Sequence, residues 1–421
     1  MKLFLILILL SCSIFGQIKF DDYFLSKTLR VDYFHSGNKT EEWMTYSKLI
    51  EEPYWGGSRI NLVDTLNLGN FMVKVFDATS GTLIYSRGFS SLFQEWQTTD
   101  EAKKVNKTFP ESVIIPFPKN KIKLQIDGRD DKNNFVKIWE YDIDPTSYFI
   151  SKEMKHKFPN MKIHYSGDPA VNYDIVLLAE GYTNDEMEDF IESCNFYGEA
   201  LFKYEPFKEY KDKINIWAVL SPSKESGSDI PADSVWVNTI MNSSYYTFNS
   251  ERYVMVEDFQ GVRDIAANAP YDQIYILANN DKYGGGAIYN FYSITAIKNA
   301  AGEKVFIHEL GHGLVGLADE YVDKYTYNEY YKLDVEPWEP NITTLVNFDE
   351  KWKYLLDEDV PVPTPNEERY KSRLGVFEGG GYVAKGVYRP TFDSIMNTLA
   401  SGKFNLPSLL AIKKVLDFYS K

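Results

Sequence analysis

Five histidines occur in the 421 residues, and two of them stand four apart in His308-Glu309-Leu310-Gly311-His312. The run before them, Glu303-Lys304-Val305-Phe306-Ile307, reads as the first turns of a helix. On a helix, residues four apart lie about 40° apart around the axis, so both imidazoles leave one face a turn apart. That spacing lets two nitrogens reach one zinc ion at about 2.0–2.1 Å each. Glu309 sits near enough to meet a water at such an ion without being a ligand, which makes it the candidate general base. The same pentapeptide occurs in helices that bind nothing, so its surroundings must supply the rest of a site.

Gly311, Gly313 and Gly316 follow within six residues. Each glycine costs a helix about 1 kcal/mol relative to alanine; close packing around a site, and a turn that ends the helix, would account for them. A hydrolytic zinc takes three protein ligands and keeps one position open. No histidine follows His312, so the third ligand is an Asp or Glu unless His156 or His164 returns from upstream. Asp319 lies three residues beyond Gly316, the offset of the metzincin pattern, although the glycine comes one residue later than in that pattern. Its neighbour Glu320 would then bond a histidine N–H or the backbone. Glu329 or Glu336 on a following helix is the gluzincin alternative. Phe392-Asp393-Ser394-Ile395-Met396-Asn397 reads as a methionine turn, with Met396 beneath the metal.

The string from His308 through Tyr321 resembles the signature of the immunoglobulin A peptidase family of bacterial secreted zinc metallopeptidases. Leu177 to Thr183, Pro222 to Asp229, Tyr283 to Gly286 and Gly386 to Pro390 agree with that family in order, so the resemblance spans about residues 160–420. It implies a zinc-dependent endopeptidase with a metzincin-like core, one catalytic Zn2+ and a protein or peptide substrate, though not an antibody in particular. Glu309 would take the proton of the attacking water and return it to the leaving amine. A catalytically inactive exported adhesin or glycan-binding protein, or a zinc hydrolase of other amides, are the rival readings; the intact ligand set favours the peptidase.

Upstream, short alternating strands with Gly, Asp and Asn turns run from about residue 20 to 150: Arg59–Asp64, Phe71–Asp77, Thr82–Tyr85, Lys121–Ile126 and Phe135–Tyr141. They predict an all-β sandwich over 17–150. The loop Asp127–Asn134 lacks EF-hand spacing and reads as a solvated hairpin turn. From Tyr173 the texture changes to apolar strands (Asp174–Ala179, Ile214–Leu220, Gln273–Ala278) alternating with helices, as in an α/β domain over 155–421. Residues from about 155 onward are expected to fold and bind zinc alone, since no ligand comes from upstream. Ser221–Asp229 reads as a loop flanking the active site. Asn279–Tyr289 lacks the ending of a phosphate loop; its Gly284, Gly285 and Gly286 suit an edge strand that pairs with an extended substrate. Tyr388 and Arg389 are candidates to stabilise the oxyanion.

The formal charge of −15 leaves no excess of Lys and Arg for a nucleic-acid groove and disfavours anionic membranes. The 31 tyrosines suggest a wet, aromatic-rimmed surface. Residues 1–16, with Lys2 and the run Leu3–Leu10, form a signal peptide too short to span a bilayer. Cleavage before Gln17 would release the protein; Leu9-Leu10-Ser11-Cys12 resembles a lipobox, and membrane attachment follows only if Cys12 is lipidated. Cys194 is the one other cysteine, so no internal disulfide forms; it reads as a small buried apolar residue. Nothing in the chain fixes an oligomeric state.

Overall fold

The computed structural model describes residues 18–323 and 331–420. The leader with Cys12, the cleavage before Gln17, and Glu329 fall outside the described residues.

The N-terminal part contains β1 (Phe24–Gly37), β2 (Glu42–Glu52), β3 (Phe71–Asp77), β4 (Leu83–Phe89), α1 (Leu92–Trp96), β5 (Lys107–Pro118), β6 (Ile122–Arg129), β7 (Phe135–Ile143) and β8 (Ile150–Ser151). These strands form two sheets, ordered β5-β1-β2-β8 and β4-β3-β6-β7. Alternate residues point to one face of a strand, and here Leu29, Val31 and Ile115 of the first sheet share a core with Val73, Val75, Leu124 and Ile126 of the second. The Arg59–Asp64 stretch is not a strand. Ser58 Oγ accepts the N–H groups of Ile60 and Asn61, and Asp64 Oδ1 accepts those of Leu66 and Asn67. Side chains that capture local backbone in this way replace a ladder. The hairpin turn is shorter than the sequence suggests: Asp127, Gly128 and Arg129 belong to β6, Asp127 is buried, and the turn itself runs over 130–134, with Asp130 Oδ1 accepting the N–H groups of Lys132 and Asn134.

The second part contains β9 (Asn160–His164), β10 (Tyr173–Glu180), α2 (Met187–Leu201), β11 (Ile214–Val219), α3 (Phe259–Ala266), β12 (Gln273–Ala278), β13 (Gly285–Ile288), β14 (Tyr292–Ala296), α4 (Gly302–Val315), β15 (Phe377–Gly380), β16 (Val383–Arg389) and α5 (Leu406–Ser420). Its main sheet runs β13-β14-β12-β10-β11-β9. The four inner strands are parallel and the two edges antiparallel. A parallel sheet covered on both faces reads as continuous apolar sequence, and β10 is buried throughout. Its Ile175 and Leu177 pack with Phe306 and Leu310 of α4 and Ile412 and Leu416 of α5. Its Val176 and Leu178 face Val262 and Ile265 of α3. Cys194 is buried in α2.

That second face also takes Leu92, Phe93 and Trp96 of α1 and Phe109 of β5. Nearby, the guanidinium of Arg30, 1% exposed, pairs with Asp32 (2.8 Å), Glu52 (3.2 Å) and, across the boundary, Asp264 of α3 (2.6 Å). Removing one partner of such a buried pair costs about 3–5 kcal/mol. The two parts therefore share a buried interface of apolar contacts and an ion pair. Among the described residues no helix is long and apolar enough to cross a membrane.

Candidate metal centre

Helix α4 stops at Gly316, whose left-handed backbone (φ +64°, ψ 41°) turns the chain back. There the N–H groups of Gly316 and Leu317 bond the carbonyls of His312 and Gly311 at 2.8 and 3.1 Å. A β-carbon at Gly316 would lie 2.4 Å from the Trp338 ring, and one at Gly311 would lie 3.1 Å from Met396 Sδ. Both glycines are explained by the turn and the packing. The returning segment is clamped on every side. Asn341 bonds both the N–H and the carbonyl of Ala318 (2.7 and 2.8 Å), Gly381 N–H reaches the Asp319 carbonyl (2.8 Å), and Glu320 N–H reaches the Met396 carbonyl (2.8 Å).

Asp319 is thereby brought against both histidines. The two Nε2 atoms are 3.1 Å apart, and Asp319 Oδ1 lies 3.2 Å from that of His308 and 3.4 Å from that of His312. Three atoms bound tetrahedrally at about 2.0–2.1 Å stand about 3.3–3.4 Å apart, so the triangle has the size a zinc ion needs. Each histidine donates its Nδ1–H to a carbonyl, His308 to Ile395 (2.9 Å) and His312 to Leu317 (2.5 Å). With Nδ1 engaged in each ring, both Nε2 atoms are turned toward Asp319. The Tyr382 hydroxyl donates to Asp319 Oδ2, while Oδ1 is buried without a hydrogen-bond partner. A buried carboxylate oxygen 3.2 and 3.4 Å from two imidazole Nε2 atoms fits a divalent cation, and the N2O donor set suits zinc.

The cleft over this triangle has a volume of about 510 Å³. Residues 161–369 and 366–416 match the family described as IgA Peptidase M64, and residues 19–140 match its Peptidase M64 N-terminus. The chain belongs to the IgA peptidase M64 family. No curated protein matches it. As a peptidase family, M64 implies a protein or peptide substrate.

Electrostatics in this peptidase centre on the same point. Burial would lower the His312 pKa, but the charge of Asp319 outweighs it and raises the value to about 9. Burial opposes ionisation of Asp319 in turn, yet the two imidazoles hold its carboxyl far below the usual range. Glu309, 9% exposed, is pushed up by burial against the pull of both histidines. His308, Glu309 and His312 form a group that could hold a metal, their ligand atoms within 4.8 Å of one another. A β-carbon at Gly285 would lie 2.9 Å from Glu309 Oε1, so a glycine there lets β13 pass directly beside the carboxylate.

Several expected site residues take other places. Glu320 bonds neither histidine. Its carboxylate, fully buried, accepts from Asn341 (2.9 Å), Asn405 (2.7 Å) and Ser394 (2.7 Å), and burial raises its pKa to about 7. It ties the returning segment to the methionine turn and to the start of α5. Tyr388 and Arg389 do not line the cleft. Tyr388 pairs with the backbone of Thr343, and the Arg389 guanidinium is taken by the carbonyls of Glu378, Gly379 and Phe392. Glu336 accepts from Thr344 and Asn347, and Ser223 from Gly181 and Ile240, away from the metal centre. His156 stacks on Phe158 and His164 bonds the Lys211 carbonyl.

The glycine run does border the cleft, but its polar groups are largely used. Gly286 pairs with Ile294 of β14, and Gly284 accepts from Ala296. Gly285 turns outward, where its N–H reaches the Arg252 carbonyl (3.1 Å) and its carbonyl accepts from Val254 (3.2 Å). Further along, Ser90 occupies the Tyr289 carbonyl (2.9 Å). Antiparallel strands alternate inward and outward groups, so Ala287 is the outward residue between them. Cleft residues without a sequence signal include Tyr382 and Arg252, and also Asn70, Gln94 and Glu95 from the N-terminal part.

Proposed function

We propose that this chain is an exported zinc-dependent endopeptidase. Its metzincin-like catalytic domain covers 155–421, a β-sandwich domain covers 17–150, and a leader covers 1–16. The observation that carries the reading is the triangle of His308 Nε2, His312 Nε2 and the buried Asp319 Oδ1. These three residues would hold the ion. Bound there, zinc supplies Lewis acidity that makes water a nucleophile near neutral pH. Glu309 takes the proton from the attacking water at a carboxylate oxygen that lies against Gly285, and delivers it to the amine of the departing chain. Its raised pKa, caused by burial, suits a group that must hold a proton between those steps. Met396, fully buried, floors the site against Gly311, and Ile395 and Leu317 keep the imidazoles in register. An extended peptide would pair with the outward N–H and carbonyl of Ala287 and so run along β13, which passes beside Glu309.

The test is zinc content measured together with cleavage of a mixed peptide library, with the Glu309→Ala protein as control. Zinc binding with wild-type cleavage that the control lacks supports the reading; a folded, zinc-loaded wild-type protein that cleaves nothing overturns it. Export is checked by finding the processed chain outside the cytoplasm, and lipidation of Cys12 by its mass.

A further inference from the structure

We propose that Glu95, carried by the N-terminal domain, is a specificity-determining residue that receives a cationic group of the peptide substrate, a lysine or arginine side chain or a free α-ammonium. The inference rests on the peptidase reading and deepens it.

Helix α1 is held rigidly against the catalytic domain. Its Leu92, Phe93 and Trp96 are buried among residues of the main sheet. Ser91 caps the helix by accepting Gln94 N–H (3.3 Å), His35 stacks on Phe93 at 3.8 Å, and the Trp96 indole donates to Glu101 (2.7 Å). The opposite side of this short helix lines the cleft with Ser91, Gln94 and Glu95. Gln94 is committed, since its side-chain oxygen accepts from Asn70 at 2.9 Å.

Glu95 is different. Its Oε2 accepts from the Tyr253 hydroxyl, and no described lysine or arginine pairs with it. Burial pushes its pKa up to about 7 although Tyr253 and the charge of His312 pull it down. Glu95 is half-buried in the cleft wall, so its carboxylate, with one hydroxyl partner, stays open to an arriving cation.

The rest of the wall favours the same sign. Glu339, 8% exposed, lines the cleft with Oε1 accepting from Tyr331 (3.0 Å) and Oε2 without a hydrogen-bond partner. The cations nearest it are spent on backbone: Lys351 on the carbonyls of Pro337 and Glu339, and Arg129 on those of Gly69, Asn67 and Asn133. Arg252 is the one described arginine or lysine in the lining, and its guanidinium lies beside the Tyr321 hydroxyl at 3.3 Å. The ion's charge is met by Asp319 and Glu309. Carboxylates therefore remain in excess where a peptide would lie.

The test uses the full chain loaded with zinc and pairs of labelled peptides, blocked at both ends, that differ only in lysine against norleucine or arginine against citrulline. A third pair differs only in a free against an acetylated amino terminus. Binding is measured in the Glu309→Ala protein and cleavage in the unsubstituted chain. At least one cationic peptide is expected to bind about tenfold or more tightly than its neutral twin. The pair that responds tells side chain from terminus. Glu95→Gln, which preserves size and an acceptor for Tyr253, is expected to collapse the ratio to about one. In the unsubstituted chain the ratio should also fall as salt rises from about 50 to 500 mM, a readout that needs no variant. Equal binding of every pair, or a ratio that survives Glu95→Gln or high salt, overturns the assignment. Cleavage without cation preference sinks Glu95 and leaves the peptidase standing; cation-selective binding without any cleavage does the reverse.

Discussion

Tyr382→Phe removes one hydroxyl from the metal centre and little else. The residue has left-handed backbone (φ +66°), but its N–H bonds the Tyr321 carbonyl (3.0 Å), its carbonyl accepts from Asp323 (3.1 Å), and its ring meets Tyr321 at 5.3 Å. Phenylalanine keeps all three. What disappears is the donor on Asp319 Oδ2, the bond that leaves Oδ1 facing the histidines, together with the hydroxyl's bond to the Tyr321 side chain. A hydrogen bond to a charged group contributes about 1.5–3 kcal/mol. Loss of such outer support lowers metal affinity about 10–100-fold, about 1.4–2.7 kcal/mol on the same scale. The two estimates agree, so the zinc dissociation constant of Tyr382→Phe should rise about 10–100-fold in competition with a chromogenic chelator. Tyr388→Phe is the control, because Tyr388 lies outside the cleft; its affinity should match the parent. An unchanged constant in Tyr382→Phe, or an equal loss in both variants, would refute the claim that this hydroxyl orients the carboxylate.

Glu309→Ala should retain stoichiometric zinc and an unchanged circular dichroism spectrum while peptide hydrolysis falls by about 10²–10⁴-fold; hydrolysis at the parent rate removes its role as base. Asp319→Ala should lose zinc on mild chelation, whereas Glu320→Ala should keep most of it and lose thermal stability, because three buried donors lose their acceptor at about 1–3 kcal/mol each before relaxation. Zinc retained in the first, or an unaltered melting temperature in the second, contradicts these placements. Trp96→Ala, far along the chain from every ligand, should destabilise the whole protein by about 3–5 kcal/mol in urea titration; an early, separate transition of residues 17–150 with the remainder unaffected would show that the interface carries no stability.

The clustering of His308, His312 and Asp319 was readable because its determinants are local. Two histidines one turn apart, a glycine that can turn left-handed, and a carboxylate three residues on all lie within twelve residues, His308 to Asp319. Met396 was readable only by analogy of pattern. Tyr382 was not, since nothing in Gly379-Gly380-Gly381-Tyr382 says that the bond from Gly381 N–H to the Asp319 carbonyl will swing the next ring toward Asp319. Tyr388, on β16, has the same chemistry in the wrong place. Alternation misled at Arg59–Asp64 because Ser58 and Asp64 take the backbone donors that a neighbouring strand would need. The glycine run was seen as an edge, but its hydrogen-bond phase depends on Arg252 and Val254, which no local pattern reveals.

The division of the chain into a β part and a ligand-bearing part follows the texture of the sequence and hides the surface that joins them. Leu92, Phe93 and Trp96 look like ordinary apolar residues of the first part, yet they complete the face of β10 and β12 that α3 covers only partly. Arg30 looks like a charged strand residue, yet it is buried and needs Asp264 from the other side. These contacts hold α1 still, and α1 presents Gln94 and Glu95 to the cleft. Further bonds cross the same boundary beside the cleft: Trp338, whose ring covers Gly316, donates to Asn70, Asn290 donates to the Gly88 carbonyl, and Ser90 N–H reaches the Tyr289 carbonyl just past β13. The N-terminal sheets thus act as one wall of the site and as the buttress of that wall. The candidate ligands all come from the second part; the walls of the cleft above them come from both.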